Sequence, residues 1–102
     1  MSEKNFQNLC DSFLEKLSED IEKLDKDSKL DVEYADGILK IVVEKTHATY
    51  VINRHSASQK IWYSSQVSGA DYFSFDEKSE KWLDSKGEEL KQKLFSELKN
   101  FQ

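Results

Sequence analysis

The chain has 102 residues, 37% apolar and 34% charged, with no proline, three glycines and one cysteine. That length suits a single domain over residues 1–102 with one hydrophobic core, and an aromatic share of 12% argues against a disordered chain. Cys10 has no second cysteine to pair with, which fits a reducing compartment and a buried, inert thiol.

No stretch approaches the roughly 18 apolar residues of a membrane span. The N-terminus lacks the basic-then-apolar plan of a signal peptide and the Arg-rich, acid-poor character of a transit peptide. The expectation is a cytoplasmic protein without a membrane partner, ahead of a mature mitochondrial matrix form. The net charge of −5 is unevenly placed. Residues 1–36 hold 11 acids against 5 bases, whereas residues 37–102 hold 9 against 10. Such a surface excludes nucleic acid as a natural partner and favours cations or a basic protein patch.

In chain order, Phe6, Leu9, Cys10, Phe13, Leu14, Leu17, Ile21 and Leu24 form one apolar stripe at helical spacing. Asp11, Glu15, Glu19 and Glu22 fall within about 80° of one another on the opposite side of that helix. After a polar connection, Leu30, Val32 and Tyr34 alternate with Asp31 and Glu33, a half-buried strand with an acidic outer face. Asp36-Gly37 is a hairpin turn pair. Further strands are expected over Ile38–Val43, Thr49–Arg54, Lys60–Ser65 and Ala70–Phe75, and Trp82-Leu83 could add a short sixth. Ser85 with Glu88 has capping-box form, and Leu90, Leu94, Leu98 and Phe101 give the closing helix one apolar stripe.

This order predicts an α+β fold: a two-layer α/β sandwich with two terminal helices on one face of a five- or six-stranded antiparallel sheet. Side chains alternate across strands. With Leu39, Ile41, Val43, Tyr50, Ile52, Ile61 and Tyr63 inside, Lys40, Val42, Thr49, Val51, Asn53, Trp62 and Ser64 face outward. Trp62 is then an interface anchor on an open sheet, with Asn53 beside it. His47 and His55 read as solvent-exposed residues in or near loops.

The stretch Ile52–Ser65, INRHSASQKIWYSS, resembles the signature of the frataxin family: an Ile-Asn pair ending one strand, a polar turn, then a hydrophobic-Trp pair. The order of an acidic first helix and strand, the hairpin Asp36-Gly37-Ile38-Leu39, the Ser68-Gly69 turn, Trp82 and a Gly-led helix from Gly87 to Leu98 extends the resemblance over roughly residues 6 to 100. It departs from the pattern at Lys60, Arg54-His55, Ser74, Lys23 and Lys29.

The resemblance implies an iron-binding protein of iron–sulfur cluster assembly, a regulator or iron donor to a cysteine desulfurase and its scaffold. It places iron on Asp11, Glu15, Glu19, Glu22, Asp25, Asp27, Asp31 and Glu33, and partner contacts on Asn53, Lys60 and Trp62. Hard carboxylate oxygens accept iron ions of either charge state. Spread over a helix and a strand, they give weak surface sites rather than a cage. Neither haem nor a resident cluster is implied, since Cys10 alone cannot supply the roughly four thiolates a cluster takes. A monomer that oligomerises with iron is the expected state. No phosphate loop, nucleophile elbow or triad spacing marks an enzyme. A weak ferroxidase and a metal-independent acidic interaction module are the alternatives.

Overall fold

The computed structural model describes residues 2–101, with the side chain of Phe101 outside the described set. Helix α1 spans Glu3–Leu24, strands β1 to β6 span Leu30–Ala35, Ile38–Val43, Thr49–His55, Lys60–Ser65, Gly69–Asp76 and Lys81–Leu83, and helix α2 spans Leu90–Leu98. The strands form one antiparallel meander in the order β1-β2-β3-β4-β5-β6. The α+β sandwich read from the sequence is therefore the observed architecture, with six strands.

The 3.6-residue stripe builds α1. Phe6, Cys10, Leu14, Leu17 and Ile21 are buried, while Leu9 and Phe13 pack at the margin of the core. Ser2 caps the helix by accepting a hydrogen bond from the Asn5 amide at 3.1 Å. At the other end the Asp25 carboxylate accepts the amides of Lys29 at 2.8 Å and Leu30 at 2.9 Å, which steers the chain into β1.

Period-two patterning builds the sheet. Leu39, Ile41, Val43, Tyr50, Ile52, Ile61, Tyr63 and Phe73 are buried under the helices, as the parity argument requires. Asp36 and Gly37 both take positive φ, 52° and 77°, the conformation of a two-residue type I′ hairpin. Gly37 carries a second demand, because a Cβ there would lie 2.9 Å from the Arg54 guanidinium carbon. Trp82 of β6 is buried against Phe6, Phe13 and Phe75, with ring centroids 5.3 to 6.3 Å away.

The C-terminal entry differs from the expected capping box. Asp84, not Ser85, captures the backbone, its Oδ1 accepting the amides of Lys86 at 2.9 Å and Glu88 at 2.8 Å. Gly87 sits at φ 83° in that loop, so the helix begins at Leu90 rather than at Gly87. The buried carboxylate, one residue earlier than the expected cap, outcompetes the serine hydroxyl for the free amides. Leu90, Leu94 and Leu98 form the buried stripe; its expected continuation at Phe101 lies outside the described side chains.

A polar clasp completes the helix–sheet contact. The Glu97 carboxylate of α2 accepts hydroxyls from Tyr63 at 2.8 Å, Ser65 at 3.1 Å, Ser68 at 3.1 Å and Tyr50 at 3.4 Å. Burial, then the neighbouring carboxylate, pushes the Tyr50 hydroxyl up to about 12, and burial raises Tyr63 further. Among the described residues no helix is long and apolar enough to cross a membrane.

Candidate metal-binding face

Three surfaces of α1 follow from its angular geometry. One is the apolar stripe already described. Lys16 and Asp20 occupy the flank toward α2, where Asp20 meets Lys16 at 3.1 Å and Lys91 at 2.9 Å. The Lys91 hydrogen bond, the largest influence, holds the Asp20 carboxyl below its ordinary range. The third flank leans over β1 and carries Glu15, Glu19 and Glu22, all exposed.

The predicted carboxylates divide by what they already do. Asp11 is engaged by the protein's own donors at the surface: Arg54 Nη1 lies 2.7 Å from its Oδ1, and the Tyr34 hydroxyl donates to the same oxygen at 3.3 Å, with the Asp11 side chain still 45% exposed. Burial and the Asp11 charge raise the Tyr34 hydroxyl above its ordinary range. Asp25 is occupied by the backbone amides at the start of β1. Asp27 lies 3.9 Å from Lys29 Nζ with its side chain 78% exposed, a weak pairing.

Glu15, Glu19, Glu22, Asp31 and Glu33 are exposed, and none forms an ion pair within 4 Å among the described residues. Glu33 lies opposite Lys40 in the β1–β2 register, without such a pair. Glu22 and Asp25 share a shallow notch with Ser28, Leu30 and Val32. The free carboxylates thus surround the β1 edge, from the helix above and from the strand's own outer side. No three His, Cys, Asp or Glu side chains converge to hold a metal ion among the described residues. The arrangement can attract cations over an area without enclosing one.

The outer sheet face forms a second candidate surface. Ile38, Asn53, Trp62 and Tyr72 are successive register partners across β2, β3, β4 and β5. Trp62 is half-buried on this face, while Ile38 is 48% and Tyr72 45% exposed, so the row offers apolar area to a partner. The strand parity that turns Trp62 outward also places Ile38 and Tyr72 on this face, a signal present in the alternation of β2 and β5. Asn53 Nδ2 donates to the Arg54 carbonyl at 3.2 Å, and its buried Oδ1 has no hydrogen-bond partner among the described residues. Lys60 is exposed opposite His55 at the end of the β3–β4 pair.

His55 lies near a loop as expected, but it is not fully solvent-exposed. It ends β3, half-buried, with Nδ1 2.7 Å from Ser58 Oγ and its ring 5.5 Å from Tyr72. Cys10 is buried, and desolvation followed by the Asp11 charge pushes its thiol up to about 12, as an inert core cysteine requires.

A family model, the Frataxin-like domain, matches residues 1–101. The chain belongs to the frataxin family. Frataxin from Caenorhabditis elegans, named as mitochondrial, is 34% identical over 94 residues, covering 87% of this chain and 68% of that protein. Frataxin from Dictyostelium discoideum is 41% identical over 69 residues, covering 67% of this chain but 35% of its own length. The chain thus spans about two thirds of the worm frataxin and about a third of the slime-mould one.

Solved frataxins share the fold. One from Psychromonas ingrahamii superposes with a TM-score of 0.83 at 21% identity, covering 96% of this chain and 89% of its own. A trimeric frataxin from Saccharomyces cerevisiae, solved complexed with ferrous iron, gives 0.79 at 27% identity, covering 91% of this chain and 84% of its own.

Proposed function

We propose that this frataxin-family chain binds ferrous iron weakly on its acidic flank and serves iron–sulfur cluster assembly as a regulator or iron donor. Glu15, Glu19, Glu22, Asp31 and Glu33 are the cation-attracting groups, with Asp27 contributing weakly. Asp11 and Asp25 mainly hold the fold together. The observation carrying this reading is the band of exposed carboxylates around β1, Glu15, Glu19, Glu22, Asp31 and Glu33, with which no lysine or arginine forms an ion pair within 4 Å among the described residues. The likeness to the yeast frataxin complexed with ferrous iron supports iron as the cargo.

Hard oxygen ligands on a rigid helix and strand favour iron over soft-metal chemistry, but without a cage they select poorly among hard cations. Modest affinity suits a protein that hands its cargo on. The row around Trp62, with Asn53 and Lys60, is the proposed contact for the cysteine desulfurase–scaffold complex, since a half-buried tryptophan in a mixed apolar and polar surround is a typical binding anchor.

Anaerobic titration with ferrous iron followed by amide NMR tests the reading. Resonances of Glu15, Glu19, Glu22, Asp31 and Glu33 should broaden first, with Asp11 and Asp25 responding later. Silence of the whole flank would overturn iron binding. If a desulfurase then still shifted those resonances, the flank would be a metal-independent docking surface.

A further inference from the structure

The two ends of the sheet are protected differently. Strand β6 is three residues long, and an isolated bridge between Leu83 and Glu89 covers its outer side. Strand β1 is six residues long and ends the sheet with no strand beyond it among the described residues. Unpaired strand edges are templates for another chain.

The ladder identifies which backbone groups are open. Ala35 and Ile38 flank the two-residue turn and form the hydrogen-bonded pair of that hairpin, and pairs alternate along an antiparallel ladder. Asp31, Glu33 and Ala35 therefore point their amides and carbonyls at β2, while Val32 and Tyr34 point theirs outward. The Leu30 amide, on the outward side, is already held by Asp25 at 2.9 Å. Val32 and Tyr34 together offer about four bonds to an incoming strand.

Charge surrounds that edge on both sides. Glu22 shares the notch with Leu30 and Val32 on the helix side, and the Glu15 charge reaches the Tyr34 hydroxyl. Asp31 and Glu33 project from the same strand toward the opposite face. An added strand sends alternate side chains to the two faces, so lysine or arginine at either parity meets carboxylate. A second copy is disfavoured, because its own β1 would set like charges together.

We infer that β1 is a strand-addition site for an extended basic segment of a partner protein, its backbone pairing with Val32 and Tyr34 and its lysines or arginines with Glu15, Glu22, Asp31 and Glu33. This rests on the acidic flank attracting positive charge, as proposed above, and adds a backbone-directed mode of recognition.

The test is amide hydrogen exchange by NMR on the intact chain, with an acetylated heptapeptide alternating lysine and valine as probe and spermine as a strandless polycation. The peptide should slow exchange at Val32 and Tyr34 by about tenfold or more, leaving Asp31 and Glu33 little changed. Spermine should shift the carboxylates without protecting those amides.

Val32→Pro removes an outward amide and spares the β1–β2 ladder. It should weaken the peptide about tenfold or more while the ferrous-iron response persists. If Val32→Pro fails to fold, exchange in the unaltered chain still decides. Peptide binding without protection at Val32 and Tyr34 would overturn the inference, as would no binding, or a dimer occupying the edge in sedimentation. Protection without any iron response would sink the iron reading and leave this one standing.

Discussion

Glu97 and Glu19 are the same side chain put to opposite uses at two ends of the molecule. Glu97 is held under α2 by hydroxyls of Tyr50, Tyr63, Ser65 and Ser68. Glu19 stands in solvent on α1, without an ion-pair partner among the described residues and with Glu15 and Glu22 as neighbours. A satisfied carboxylate contributes to stability; a crowded, unsatisfied band lowers it, which is the energetic basis of the cation binding proposed above. The sorting extends within the band itself, since Asp11 and Asp25 are held by the protein's own donors while Glu15, Glu19, Glu22, Asp31 and Glu33 form no ion pair within 4 Å among the described residues.

The largest expected effect lies at the clasp. Glu97→Ala would strand the buried Tyr63 hydroxyl and its neighbours, costing about 2–4 kcal/mol and lowering the melting temperature by about 10 °C or more. A loss below about 1 kcal/mol in denaturant titrations would show that α2 is docked by its leucines alone.

Next comes alkaline pH. The folded chain holds the Tyr50 proton to about 12, whereas an exposed tyrosine releases it near 10. The folded state then binds more protons than the unfolded one between those values. This contribution is fully present below about pH 10 and is lost as pH rises toward 12, at up to about 1.4 kcal/mol per pH unit. Denaturant titrations at rising pH should trace that decline, and Tyr50→Phe should flatten part of it.

A smaller effect is expected at the hairpin. Gly37→Ala meets both a left-handed backbone and the Arg54 guanidinium, and should cost about 1–2 kcal/mol. The same substitution should loosen the Arg54–Asp11 pair, visible as a shifted Asp11 resonance. The smallest stability change belongs to the acidic band. Glu19→Lys with Glu22→Lys relieves repulsion worth about 0.2–0.5 kcal/mol per like-charged pair. Thermal melts should show slight stabilisation by the double substitution and a rise of the parent's melting temperature with millimolar divalent cation that the variant loses. Equal responses of both proteins would separate the carboxylates from cation binding.

Much of this organisation was readable in one dimension. The α1 stripe and the alternation in β2, β3 and β4 are periodic signals, and Asp36-Gly37 is a turn pair with a steric cause. Parity alone set Trp62 outward and the buried tyrosines inward. What escaped were choices among chemically similar neighbours. Asp84 rather than Ser85 caps the C-terminal loop because of where the backbone places its carboxylate, and sequence spacing is silent on that.

In the acidic band, helical angle could say which side Asp11 occupies but not that Arg54, 43 residues later, reaches it. The fate of Asp25 likewise depends on a tight return of the chain onto its own helix end. Glu97 was invisible as a hub because its donors come from separate strands and a turn.

The placement of the two tryptophans has a practical consequence. Trp82 is sealed among phenylalanines, while Trp62 sits in the open row beside Asn53 and Tyr72. The molecule therefore carries two intrinsic optical reporters with separate jobs. Emission from Trp82 follows the integrity of the interior, and collisional quenching of Trp62 follows whether the open face is occupied, so docking and unfolding can be watched in one cuvette without a label.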